Sequence, residues 1–222
     1  VAVDGVTFRI HSGEIVGLIG PNGAGKSTLM KILCALLAPT SGEVLLNGMR
    51  MGGESTEIRR HLGYLPENNP LYTDMYVKEY LQYVAGLYSL DEKNARVKEV
   101  IRRTGLEPEM HKKIGVLSKG YRQRVGLAQA IIHDPEILIL DEPTTGLDPN
   151  QIVEIRNLIS ELGTEKTVIL STHIMQEVEA IRTYFTRECV NPWGGVEAML
   201  PHTVSHELNV PSAHAPLIRH QA

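Results

Sequence analysis

Gly20-Pro21-Asn22-Gly23-Ala24-Gly25-Lys26-Ser27 constrains this chain more than any other segment. It fits the pattern of Gly, four residues, then Gly-Lys-Ser/Thr, in which a Gly-rich loop wraps backbone N–H groups around phosphate. Ahead of it lies the apolar run Glu14–Ile19, the pattern of a buried strand. Behind it a helical pattern runs from about Lys26 to Leu37 and is stopped by Pro39. Strand, loop and helix together form the context such a loop needs. The glycines let the N–H groups converge, and the helix N-terminus adds its positive end. The predicted anion cradle is Gly20, Asn22, Gly23, Ala24, Gly25, Lys26, Ser27 and Thr28. Within it Lys26 is expected to neutralise the β- and γ-phosphates, and the Ser27 hydroxyl to ligate Mg2+.

The remaining patterns supply a fold around that loop. Val6, Phe8 and Ile10 alternate with polar residues and predict a strand, and Glu43–Leu46 before Asn47-Gly48 predicts another strand and a turn. Leu62–Leu65, Ile137–Leu140 and Thr167–Leu170 are short apolar runs. Between them, Val77, Tyr80, Leu81, Val84, Leu87 and Tyr88, then Val97, Val100 and Ile101, recur at helical spacing. A third helix is expected after Ser118, a good N-cap, and others over Ile152–Leu162 and His173–Ile181. Strands alternating with helices predict an α/β fold with a parallel sheet. The expected architecture is a P-loop NTPase (RecA-like) core with an inserted helical subdomain and an N-terminal antiparallel β region. The core is drawn over 1–66 and 134–182, the helical subdomain over 67–133.

Composition narrows the function class. Lys and Arg number 22 against 26 Asp and Glu, a net charge of −4 that offers no basic field for nucleic acid. Two cysteines, Cys34 and Cys189, cannot make a disulfide framework. No run reaches the roughly 18 apolar residues of a membrane-spanning helix, and the first residues lack a signal-peptide pattern. Residues 183–222 differ from the rest: they contain no Lys or Asp but do contain His202, His206, His214 and His220, and show neither period. They are expected to be irregular and foreign to the pattern of the preceding chain. His202 and His206 with Cys189 suggest metal only weakly, for want of a companion acid motif.

Further chemistry sits downstream of the loop. Asp141 and Glu142 end the run Ile137–Leu140, where α/β sheets bind ligands. Asp141 is placed to hold Mg2+ and Glu142 to orient or deprotonate an attacking water. Ser118 and Gly120, at a predicted helix start, form a second anion site. Each pair alone reads equally well as solvated acids or a simple cap. Their order is the signal: the loop, Ser-x-Gly, Asp-Glu, Thr145-Gly146-Leu147-Asp148, then Thr172-His173.

In that order, from about Val1 to Ile181, the chain resembles the nucleotide-binding subunit of ATP-binding-cassette (ABC) transporters. The resemblance makes Leu117-Ser118-Lys119-Gly120-Tyr121 the signature motif, where LSGGQ is the common form. It implies that Ser118 and Gly120 bind the γ-phosphate of ATP held by a partner's loop. It also implies that Asp148 is a dimer-contact acid and His173 a switch histidine at the γ-phosphate. Where the family carries a Gln that touches Mg2+, this chain has Glu67, whose carboxylate can serve the same metal. The family's adenine-stacking aromatic is missing upstream, since the alternation around Phe8 puts that ring in the core, and the chain looks truncated at its start.

Tyr64–Tyr72 and the LSKGYRQRVGLAQA run resemble the ATPases of ABC-2 type exporters, in particular the gliding-motility-associated ATPase of bacteria. The implied protein is an ATPase forming a homodimer, or pairing with a paralogous subunit, around two ATP with Mg2+. It would power a separate integral membrane permease from the cytoplasmic face of the inner membrane, with no nucleic-acid partner. The exposed aromatics Tyr72 and Tyr76 would either touch that permease or merely cap the helical block. The alternatives are a soluble non-transport ABC ATPase and an ATP-binding switch without effective hydrolysis.

Overall fold

A computed structural model describes residues 2–51 and 56–172. Four parallel strands form the central sheet in the order β1-β6-β5-β4: β1 Ile15–Ile19, β4 Leu62–Leu65, β5 Ile137–Asp141 and β6 Thr167–Thr172. Every strand is apolar on both faces because the sheet is covered on both, as parallel sheets require. Leu138 and Leu140 of β5 point with Val168 and Leu170 into one core, together with Leu65, Val77, Leu81 and Val125. Ile139 and Ile169 point the other way, with Leu18, Leu29, Met30 and Cys34. The expected α/β P-loop fold is the one observed.

The local chemistry of each element accounts for its limits. Helix α1, Lys26–Leu33, is shorter than the Lys26–Leu37 expected. Ala35 turns left-handed at φ 52, while Ala35 N–H bonds Ile32 O and Leu36 N–H bonds Lys31 O. This paired closure ends the helix well before Pro39, with alanine standing where glycine is usual. Val44–Leu46 (β2) and Met49–Met51 (β3) form an antiparallel hairpin. Its two turn residues, Asn47 at φ 49 and Gly48 at φ 78, have the left-handed pair that matches strand twist.

The expected N-terminal antiparallel region reduces to that hairpin. Residues 6–10 show the anticipated alternation, with Phe8 and Ile10 packed on the second core, yet they enter no strand ladder among the described residues. Alternation says which side faces the core; it does not supply a neighbouring backbone to pair with.

A short helix α2, Thr56–Arg60, was not anticipated. Between β4 and β5 come α3 Val77–Leu87, α4 Lys93–Arg103 and α5 Lys119–Ile131, and between β5 and β6 comes α6 Pro149–Gly163. Arg96 of α4 donates to Ile131 O (2.7 Å) and Ile132 O (2.9 Å), closing the C-terminal end of α5. Lys166, only 6% exposed, donates to Pro135 O and Asp134 Oδ1, both at 2.7 Å, before β6 begins. No helix among the described residues is long and apolar enough to cross a membrane. The expected helix 173–181 and the segment 183–222 lie outside the described residues.

Candidate functional site

The carboxyl ends of the strands share one edge, because the register pairs Ile19 with Thr172 and Asp141 with Ser171. The Gly-rich loop leaves β1 at this edge. Gly25 takes φ 88 immediately before α1, a left-handed turn that only glycine makes without strain. Lys26 is then the first residue of α1 and 6% exposed. Its ammonium donates to Gly20 O at 2.7 Å and Pro21 O at 3.2 Å and lies 3.4 Å from Glu142 Oε1. Ser27 and Thr28 follow in the first turn, both half-buried.

Asp141 and Glu142 are 2% and 7% exposed. Ser171, fully buried in β6, serves both: its hydroxyl donates to Asp141 Oδ1 at 2.6 Å and accepts the Glu142 N–H at 2.9 Å. Glu142 has φ 48, an uncommon backbone state for a side-chain-bearing residue and the kind of strain that concentrates at functional sites. Thr145 Oγ1 donates to Glu142 Oε2 at 3.1 Å. Ser171 was not singled out from sequence, and Thr145 entered only as part of the Thr145-Gly146-Leu147-Asp148 run, with no role of its own. A serine in a strand carries no signal until the register sets it beside Asp141.

The acids leave a negative field. The Tyr64 phenol is pushed well above its usual range, first by burial, then by the charges of Asp141, Cys34 and Glu67. Among the described residues its buried hydroxyl has no hydrogen-bond partner. Burial, then Asp141, likewise drives the Cys34 thiol upward. Asp141 and Glu67 thus act on a common neighbourhood, although Glu67 itself is exposed. One hydroxyl and two carboxylates are hard oxygen donors, the kind and number that Mg2+ takes from a protein while substrate phosphate completes its shell. Ser27, Asp141 and Glu67 therefore fit the metal. His173 lies outside the described residues.

A second group gathers where α5 and α6 begin. Ser118 caps α5 and accepts the Tyr121 N–H at 3.3 Å; Gly120 is buried beneath Gln151 of α6. Asp148 caps α6, its Oδ1 accepting the N–H groups of Asn150 (3.1 Å) and Gln151 (3.0 Å). These three expected site residues thus already have local roles as caps and as a packing notch.

Comparison with known proteins gives a consistent result. The family described as ABC transporter matches residues 3–145. ABC transporter ATP-binding protein NatA of Bacillus subtilis (strain 168) is 41% identical over 81% of this chain and 75% of its own length. Bacitracin transport ATP-binding protein BcrA of Bacillus licheniformis is 40% identical over 81% of this chain and 59% of its own. This chain therefore spans three quarters of the first relative and well under two thirds of the second. Among solved structures, cbiO1 from Clostridium perfringens, part of the ABC transporter complex cbiONQ, superposes with a TM-score of 0.74 and 32% identity, covering 81% of this chain and 75% of that one. The post-hydrolysis dimer of the cassette MJ0796 with ADP and Pi gives 0.72 and 29%, covering 79% and 82%.

Proposed function

The chain belongs to the ABC transporter family, whose ATP-binding domains are ATPases, and on that premise we propose that it hydrolyses ATP to drive export through a separate permease. The observation that carries this reading is Glu142 held 3.4 Å from the Lys26 ammonium at the mouth of the Gly-rich loop. The loop N–H groups and Lys26 bind and neutralise the phosphates, and preorganisation of these charges is the main catalytic device for phosphoryl transfer. Glu142, oriented by Thr145, takes the proton of the attacking water or aligns its lone pair. Ser27, Asp141 and Glu67 would hold Mg2+, which would supply positive charge for the phosphate oxygens. His173 completes the γ-phosphate contacts.

Two chains pair head to tail, as a homodimer or with a paralogue. Ser118, Gly120 and Asp148 of one then close over ATP in the other. The dimeric cassette with ADP and Pi among the structural relatives supports this arrangement. The core is drawn over 1–66 and 134–182, with the 67–133 helical block facing the permease and Tyr72 and Tyr76, both exposed, offering the contact. On the likeness of Tyr64–Tyr72 and the LSKGYRQRVGLAQA run we read the transporter as of the ABC-2 exporter type, and within it as similar to the gliding-motility ATPases. The subunit sits on the cytoplasmic face of the inner membrane.

Glu142→Gln tests the chemistry. It is expected to retain ATP binding and lower turnover by roughly 10²–10⁴-fold, the usual scale for a general base. Near-normal turnover removes Glu142 from the role. Co-purification with membranes rather than ribosomes tests the transport assignment, and ribosome association would overturn it.

A further inference from the structure

Tyr64 carries a hydroxyl that the described fold does not use. The oxygen is buried and has no hydrogen-bond partner among the described residues, in a strand whose other side chains, Leu62 and Leu65, are apolar. A buried phenol ordinarily finds a partner, and one left dry costs stability. Phenylalanine would fill the same place against the second core without that cost.

The sheet register sets what this hydroxyl neighbours. Tyr64 pairs with Ile139 of β5, and Ile139 shares its face of the sheet with Asp141, two residues on. Asp141 pairs in turn with Ser171 of β6, whose hydroxyl donates to Asp141 Oδ1 at 2.6 Å. Asp141 therefore has a hydroxyl-bearing residue on each neighbouring strand, and of the two only Ser171 is bonded to it. Tyr64 lies diagonally across from Asp141, a spacing that an aromatic side chain spans. Helix α1 covers this face through Leu29 and Met30, and its first turn carries Ser27. Glu67 follows Tyr64 by three residues, and the charges of Asp141 and Glu67 both act on the phenol. The orphaned hydroxyl thus shares its surroundings with the oxygen donors that fit Mg2+.

Mg2+ held by few protein groups keeps several waters. A water on a cation turns its lone pairs to the metal and offers its hydrogens outward, so it needs acceptors. A phenol accepts and donates at one oxygen, and can take such a hydrogen while giving its own to a carboxylate. We propose that Tyr64 is a positioning residue for the metal: its hydroxyl accepts a hydrogen bond from the water shell of Mg2+ and so steadies the ion against Asp141 and Glu67. This rests on the reading of Ser27, Asp141 and Glu67 as the groups that hold the metal.

The test compares the full chain with Tyr64→Phe and Asp141→Asn. With protein in excess over the nonhydrolysable analogue AMP-PNP, Mn2+ is titrated and its binding read from loss of the free-ion paramagnetic resonance signal. Tyr64→Phe should weaken Mn2+ about tenfold, the low end of what loss of an outer hydrogen-bond partner does to metal affinity. AMP-PNP affinity in EDTA should stay within about twofold, and the thermal midpoint without nucleotide or metal should not fall, because an unpaired hydroxyl is being removed. The Mg2+ concentration that half-saturates ATP turnover should rise about as much as the Mn2+ dissociation constant. Unchanged Mn2+ affinity in Tyr64→Phe, beside a clear loss in Asp141→Asn, would overturn the proposal. A Tyr64→Phe midpoint more than about 3 °C below wild type would overturn it too, by showing that the hydroxyl is bonded within the fold. Mn2+ affinity unchanged in Asp141→Asn would overturn the reading of the metal site instead.

Discussion

Replacing Ser171 by alanine removes one hydroxyl that holds two functional groups. Ser171 is fully buried in β6, and its Oγ donates to Asp141 Oδ1 at 2.6 Å while accepting the Glu142 N–H at 2.9 Å. A hydrogen bond to a charged group contributes about 1.5–3 kcal/mol, and depriving a buried N–H of an acceptor costs about 1–3 kcal/mol. The two share one atom and do not simply add, so about 3 kcal/mol is the expected loss. For a chain of this size that lowers the thermal midpoint by about 6–12 °C. Circular-dichroism melting without nucleotide reads the stability, and a steady-state ATPase assay reads the site. Asp141 and Glu142 lose their common anchor, so kcat should fall by at least about tenfold. Thr145→Val is the control: it takes one half-buried hydrogen bond of about 1.5 kcal/mol from Glu142 and should shift the midpoint by only about 3–6 °C. A Ser171→Ala midpoint within about 2 °C of wild type would refute the reasoning that this hydroxyl anchors both acids.

Other expectations follow from burial. His133 is stacked on Tyr88 at 3.9 Å and its Nε2 meets Leu62 O at 3.0 Å. Burial, against the Leu62 hydrogen bond and with Arg96 and Lys166 nearby, lowers its pKa below 6.5. The unfolded chain therefore binds the proton first, and stability is lost as pH falls below about 6.5. His133→Phe should flatten the urea-denaturation midpoint between pH 6.5 and 5 relative to wild type, and an unchanged slope would clear His133. The Cys34 thiol, 5% exposed and pushed upward in pKa, should resist iodoacetamide in the native chain and react once urea unfolds it, as peptide mass spectrometry would show. Rapid native labelling of Cys34 would contradict its buried place at the C-terminal end of α1.

How much was legible depended on whether a physical requirement leaves its mark on residue type. The phosphate loop did, since Gly25 must turn left-handed and Lys26 must be a cation. Strand β5 did, because a sheet covered on both faces needs an unbroken apolar run such as Ile137–Leu140. The end of α1 did not. A left-handed closure at Ala35 lacks the glycine that would signal it, so the pattern ran on toward Pro39. The roles of Ser171 and Thr145 were invisible for a different reason: they arise from register and from the turn after β5, relations between segments rather than properties of one. The φ of Glu142 is likewise written in no residue preference.

The environment of Lys26 has a consequence for which ligands this loop can hold. Its ammonium already has the carbonyls of Gly20 and Pro21 and the carboxylate of Glu142 as neighbours. An arriving anion does not meet a bare charge; it exchanges places with oxygens that satisfy the lysine well. Affinity is then a difference between two solvated states, and a small monoanion such as chloride or acetate gains little by the swap. A polyphosphate gains more, because it engages Lys26, the loop N–H groups and the end of α1 at once. The pairing that makes the lysine look occupied is thus a filter, setting a threshold of charge that monoanions such as chloride and acetate do not reach.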